Sequence, residues 1–289
     1  MEKDHYIGLL ILLGIIAIAA FGGNKNAMQN QSGSNTSGQS ISEQITADQT
    51  QVNQLKTQLQ IQQQAENHSP YYGMVSIQYV NRSNSPNYEY VVLHMQDNAT
   101  SGVQVSGWRL QSISSGQGVT IPNGTDLYWS GQVNGTAPII LIPGDNLYLI
   151  SGLSPIGYNF RINKCSGYLS QFQTFIPYIS TNCPSPREES STSIPNINSN
   201  NACLDYIEGL PSCRTVTDNL PVGWSYQCVN FITTKLNYNA CIDNHKNDSD
   251  FYQKEWRVYL GQSNTLWQSE REHIVLYDNN GKIVSELTY

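Results

Sequence analysis

Charge is scarce in this sequence. Asp, Glu, Lys and Arg together make up 13% of its 289 residues, about half the share usual in soluble domains. Only 15 residues are Lys or Arg against 22 Asp or Glu, for a formal net charge of -7, and the basic residues form no cluster. Binding to nucleic acid draws its energy from neutralised phosphates and released counterions, so nucleic acid is excluded as a main ligand. Catalytic signatures are missing too. There is no Gly-x-Ser-x-Gly, no CxxC and no HxxxH, so neither an elbow nucleophile nor a paired zinc half-site is written into the chain. The reading is therefore of no catalytic residue, no cofactor and no metal.

Cysteine is absent from the first 164 residues, and six follow: Cys165, Cys183, Cys203, Cys213, Cys228 and Cys241. In a reducing compartment these would be free thiols or metal ligands; beyond an export signal they are disulfides. Six cysteines allow 15 connectivities, so the pairing stays open. Cys241-x-x-x-His245 has ligand-like spacing, but with no second pair the expectation is a disulfide for Cys241 and a surface loop for His245. His94 and His273 fall on expected strands, as cross-strand pairs or capped surface groups. Glu270, Arg271 and Glu272 read as a solvated strand edge.

Export is signalled at the N-terminus. Tyr6 to Phe21 is an uninterrupted apolar run, and with Gly22 and Gly23 it approaches the roughly 20 residues a bilayer requires. It predicts a signal anchor over 1–23, with cleavage after Ala17-Ile18-Ala19 as the alternative; either way the remainder is delivered across the membrane. Residues 24–40, rich in Asn, Ser and Gly, predict a flexible linker. Ile41, Ile45, Val52, Leu55 and Leu59 then fall on a heptad seam interrupted by Asp48 and Gln62. This predicts a helical stalk over 41–69, acting either as a spacer or as a surface through which two copies associate.

Past Pro70 the idiom changes to short runs rich in Val, Ile, Tyr and Trp. Strands are predicted at 74–80, 88–93, 105–110, 138–142, 146–150, 256–260, 272–277 and 282–287, with Asp278-Asn-Asn-Gly281 as a hairpin turn. Residues 164–250 break this pattern. Pro184 to Asn201 reads as a polar loop, while 203–210 and 224–236 carry helical periodicity. All six cysteines lie in this stretch, which predicts a small helical insertion stapled by disulfides because it buries too little core alone.

Several motifs then resemble a known family. Glu89-Tyr90-Val91-Val92-Leu93, Val105-Ser106-Gly107-Trp108-Arg109-Leu110, Leu141-Ile142-Pro143-Gly144 and the closing Leu276-Tyr-Asp-Asn-Asn-Gly281-Lys-Ile-Val284 are similar, in order, to the strand motifs of the lamin-tail domain. Met95 stands where that family usually has Asn. Cys165-Ser-Gly-Tyr-Leu and Glu255-Trp256-Arg-Val-Tyr-Leu-Gly look like segments of lamin-tail proteins from small-genome bacteria. The resemblance covers about 71–165 and 251–289. It implies a mainly β fold, an immunoglobulin-like antiparallel β-sandwich over 70–289 with an insertion at about 166–250. It implies structural roles for Gly107, Trp108, Leu110, Pro143, Gly144, Trp256 and Gly281, and brings no catalytic residues.

The chain thus reads as a membrane-anchored, extracytoplasmic, non-catalytic binding or scaffold protein with a protein or glycan partner at the envelope. The alternatives are an exported hydrolase with its site between sandwich and insertion, or a self-associating structural subunit. The 18 tyrosines fit either a recognition surface or plain strand composition.

Overall fold

A computed structural model of the protein describes residues 37–193 and 201–289. The anchor expected over 1–23 lies outside the described residues; among them, no helix is long and apolar enough to cross a membrane. Helix α1 (Ser37–Asn67) begins four residues before the expected stalk and leaves Ile45, Val52, Leu55 and Leu59 exposed.

Residues Gln62–Tyr289 form a compact, β-rich unit. Its larger sheet orders its strands β1 (Val75–Asn81), β2 (Tyr90–Met95), β7 (Asn146–Ile150), β9 (Tyr252–Tyr259) and β8 (Phe160–Asn163). The smaller runs β11 (Ile283–Thr288), β10 (His273–Tyr277), β4 (Arg109–Ser112) and β5 (Gly118–Thr120), beside a short ribbon of β3 (Val103–Gln104) and β6 (Ile140–Leu141). Side chains alternate across each strand. Val91, Leu93, Met95, Leu147, Leu149, Trp256 and Val258 from the first sheet therefore meet Leu110, Ile274, Leu276 and Val284 from the second in one buried cluster closed by Trp108.

The larger sheet is mixed, which corrects the antiparallel expectation, while the smaller is antiparallel throughout. β7 and β8 are joined across a gap that β9 later fills. Returning antiparallel to β8, β9 must run parallel to β7, with Leu147 opposite Trp256 and Leu149 opposite Val258. The single strand expected at 105–110 is also broken. The chain turns at Gly107 (φ +90°), where the Trp108 N–H donates to Val105 O at 3.1 Å, and pairing starts only at Arg109. Gly107 is required twice over: its φ suits only glycine, and a Cβ there would lie 2.6 Å from Asn279 Oδ1. The strand expected at 138–142 shrinks to β6. Pro138 has no N–H for a ladder, and the Ile139 N–H goes to Ser106 Oγ at 2.8 Å instead.

The other sequence-marked positions fall at turns and in the core. Pro143 and Gly144 form the β6–β7 turn, with the Gly144 N–H on Met95 O at 3.0 Å. Gly281 (φ +74°) closes the β10–β11 hairpin, where Asp278 Oδ1 accepts from the N–H groups of Asn280 and Lys282. Glu272, expected at a solvated edge, is instead fully buried. Its carboxyl oxygens accept from the Ser112 hydroxyl (2.8 Å) and the N–H groups of Gln268 (3.0 Å) and His273 (2.9 Å). Glu89, equally buried, accepts from the Ser151 hydroxyl and from the N–H groups of Leu266 and Trp267. The two glutamates pin the β9–β10 connection onto the sheets, since each satisfies donors that burial would otherwise leave unpaired.

The insertion holds a 3-10 helix (Ser166–Gln171), α2 (Pro186–Ser193), α3 (Asn201–Gly209), α4 (Tyr226–Lys235) and α5 (Tyr238–His245). α2 lies where a loop was expected. Its start is a capping box: the Glu188 N–H donates to Ser185 Oγ and the Ser185 N–H to Glu188 Oε2. The bridges are Cys165–Cys241, Cys183–Cys213 and Cys203–Cys228. Cys203–Cys228 ties α3 to α4 within a cluster of their own with Ile207, Phe231 and Ile232. The 3-10 helix lies so close to Cys183–Cys213 that a Cβ on Gly167 would strike Cys213 Sγ and sit 2.8 Å from Ser180 O. Three disulfides fit an oxidising, extracytoplasmic setting.

Trp108 is 1% exposed, so Trp108→Ala should lower unfolding free energy by about 3–5 kcal/mol in urea titration. A loss under about 1 kcal/mol would contradict its place between the sheets.

Candidate functional site

The inner face of the larger sheet is sealed by the other sheet, and its outer face is divided. Over one part the insertion packs down: Ile150, Phe160, Ile162 and Tyr259 join Phe175, Ile179, Tyr238 and the Cys165–Cys241 bridge in a second buried cluster. Toward β1 the cover ends, and tyrosines line the surface.

Strand register sets their spacing. Tyr79 lies opposite Val92, Val92 opposite Tyr148, and Tyr148 opposite Arg257, so these residues form one row across four strands. Tyr90 stands between the outer members, its ring centroid 6.1 Å from Tyr79 and 5.8 Å from Tyr148. These separations suit edge-on and tilted aromatic pairs. Tyr79 is exposed, Tyr90 and Tyr148 are half-buried, and Val92 is sealed in the row.

Arg257 ends the row and joins it to the insertion. It is 2% exposed, and such a buried cation needs several partners. Its guanidinium lies 4.4 Å from the Tyr148 ring centroid, pairs with Glu255 Oε1 at 2.6 Å, and donates to Pro177 O at 2.8 Å and Tyr178 O at 3.4 Å. The planar fork thus fixes the insertion's 177–178 backbone to the sheet. Beside it opens a cleft of about 370 Å³, lined by Tyr148, Lys164, Tyr178, Glu255 and Arg257. The Tyr178 ring is 82% exposed at its edge. Lys164 faces Asp248 and Asp250, the former at 2.9 Å.

Burial holds the Tyr90 and Tyr148 hydroxyls neutral. Burial, aided by a hydrogen bond with Tyr79, pushes the Tyr90 hydroxyl up to about 12. Burial, and next the charge of Glu255, raises that of Tyr148. Tyr90 and Tyr148 can therefore offer aromatic area and neutral hydroxyls to a partner at any physiological pH.

The residues singled out in the sequence lie elsewhere. Gly107, Trp108, Leu110 and Trp256 face or flank the inter-sheet core, and Pro143, Gly144 and Gly281 sit at turns. All six cysteines are in bridges beneath or within the insertion. His94 bonds Asn146 across the β2–β7 pair at 2.9 Å, and His273 bonds Glu286 across β10–β11 at 2.9 Å. His245 is not in a loop: it ends α5, its ring nitrogens 2.8 Å from the buried Glu189 and from Asp248. Among the described residues no group of three or more His, Cys, Asp or Glu is arranged to hold a metal ion. The tyrosine excess is visible in the sequence but this row is not, because strand register alone brings Tyr79 and Tyr148 into line with Arg257.

No family model and no curated protein matches the chain.

A tyrosine whose folded pKa exceeds its unfolded value of 10.0 keeps its proton longer in the fold. Stability is therefore undiminished below about pH 10 and falls as pH rises from 10 through 12. Ultraviolet titration should show tyrosines ionising near 12 in the native protein, one fewer in Tyr90→Phe. An unchanged late phase in that variant would contradict the buried hydroxyl.

Proposed function

We propose that this is an exported, non-catalytic binding module, held at a membrane by its N-terminal segment and presented on a helical stalk. Its domain is read as an immunoglobulin-like, lamin-tail-like β-sandwich that engages a protein or glycan of the envelope. The observation that carries this reading is the tyrosine row: Tyr79, Tyr90 and Tyr148 offer contiguous aromatic surface on rigid strands, beside an arginine-braced cleft. Tyrosine gives large contact area with little side-chain entropy to lose, which makes such surfaces suited to recognition. Further support comes from the disulfides, which fit export. The motif order from Glu89 to Val284 supports the lamin-tail reading.

The test uses full-length protein with a benzophenone amino acid in place of Tyr178, irradiated on intact host envelopes. A discrete adduct at the outer side, lost when Tyr79 and Tyr148 are both changed to Ser, is the expected result. Absence of any adduct, or one indifferent to those changes, would remove the row as the contact surface.

A further inference from the structure

On the far side of Arg257's brace, the boundary between insertion and sheet loops opens into two more clefts. One, of about 490 Å³, lies between Tyr128, Ser130, Phe172, Gln173 and Asn239. The other, of about 330 Å³, is lined by Tyr88, Leu153, Thr174 and Tyr259. Pro155 lines both, so they adjoin as one groove.

The groove differs in chemistry from the cleft beside Arg257. No Asp, Glu, Lys, Arg or His lines either half. A charged ligand would lose its hydration there and meet no counter-charge. A wholly apolar ligand would leave the groove's polar groups unpaired. Those groups are waiting: the Gln173 amide and the Ser130 and Thr215 hydroxyls have no hydrogen-bond partner among the described residues, and neither does the buried hydroxyl of Tyr259 beneath the second half. Two large rings stand open to solvent, Tyr88 (52% exposed) in one half and Phe172 (61%) in the other.

We propose that this groove binds a neutral oligosaccharide. A sugar ring has an apolar C–H face that lies against an aromatic plane and a rim of hydroxyls that pair with amides and alcohols. Each half falls in the volume range of small-ligand sites. The walls are pre-set. The Asn239 amide bonds both N–H and C=O of Ser130, Gln171 does the same for Thr215, and Asn87 Oδ1 accepts from the Leu153 N–H. A fixed wall lowers the ordering loss on binding. The proposal stands apart from the tyrosine row, because the two surfaces use different residues.

The test applies the purified full chain to an array carrying neutral hexose and N-acetylhexosamine oligosaccharides together with sialylated and sulfated ones, followed by calorimetry on the best neutral binder. Binding is expected to be confined to neutral glycans. It should weaken about tenfold or more in Phe172→Ala, weaken in Gln173→Ala, and stay unchanged in Ile113→Ser, an exposed site beside the smaller sheet. Both groove side chains are exposed, and circular dichroism verifies that each variant is folded. No neutral glycan bound, binding confined to charged glycans, or wild-type affinity in both groove variants would overturn the proposal.

Discussion

Everything outside the inter-sheet core depends on one neck. The chain leaves the larger sheet at Asn163 and returns at Tyr252, and these two residues are paired across β8 and β9. The Lys164 N–H donates to Phe251 O at 2.8 Å, and the Lys164 ammonium bridges Asp248 and Asp250. Just inside, Cys165–Cys241 links residues 76 positions apart. In the chain-entropy picture, such a link removes about 4–5 kcal/mol worth of freedom from the unfolded insertion. That matters because the insertion's own cluster around Ile207 and Phe231 is small.

The neck also decides where the insertion can lie. Held at the end of β8–β9, it packs onto the outer face over Ile150, Phe160 and Tyr259, and Arg257 fastens its 177–178 backbone. What remains uncovered is the tyrosine row toward β1 and the uncharged groove where the insertion meets the sheet loops. Both surfaces are by-products of a cover smaller than the sheet beneath it. The sheet supplies rigid positions, and the insertion supplies edges, and the two proposed binding surfaces rest on that division.

Much of the β framework was legible because alternation and turn chemistry are local. Val91, Leu93 and Met95 announce an inward face, and Asp278 to Gly281 announce a hairpin. Even cysteine number after an apolar leader announced bridges. Other features depend on distant partners. Which cysteines pair depends on the path of the insertion. The parallel β7–β9 pair follows from a strand slotting into a gap that no local pattern records. Glu272 looked like a surface charge and no local pattern marked Glu89 as buried, yet each is buried because backbone N–H groups far away in sequence, or in a neighbouring turn, converge on it. α2 was hidden by polar composition, although Ser185-x-x-Glu188 marked its start. The tyrosine row was legible as an excess and not as a place, since register alone aligns Tyr79, Tyr148 and Arg257.

The central claim is that the insertion is a separately stapled cover over a self-sufficient two-sheet core. Hydrogen exchange on the Cys165→Ala, Cys241→Ala double variant beside the intact protein tests it most directly. The account predicts lost protection at β8 and the far half of β9, and in α5, with β4, β10 and β11 remaining as slow as in the intact chain. Equal loss of protection across both sheets, or none anywhere, would contradict it.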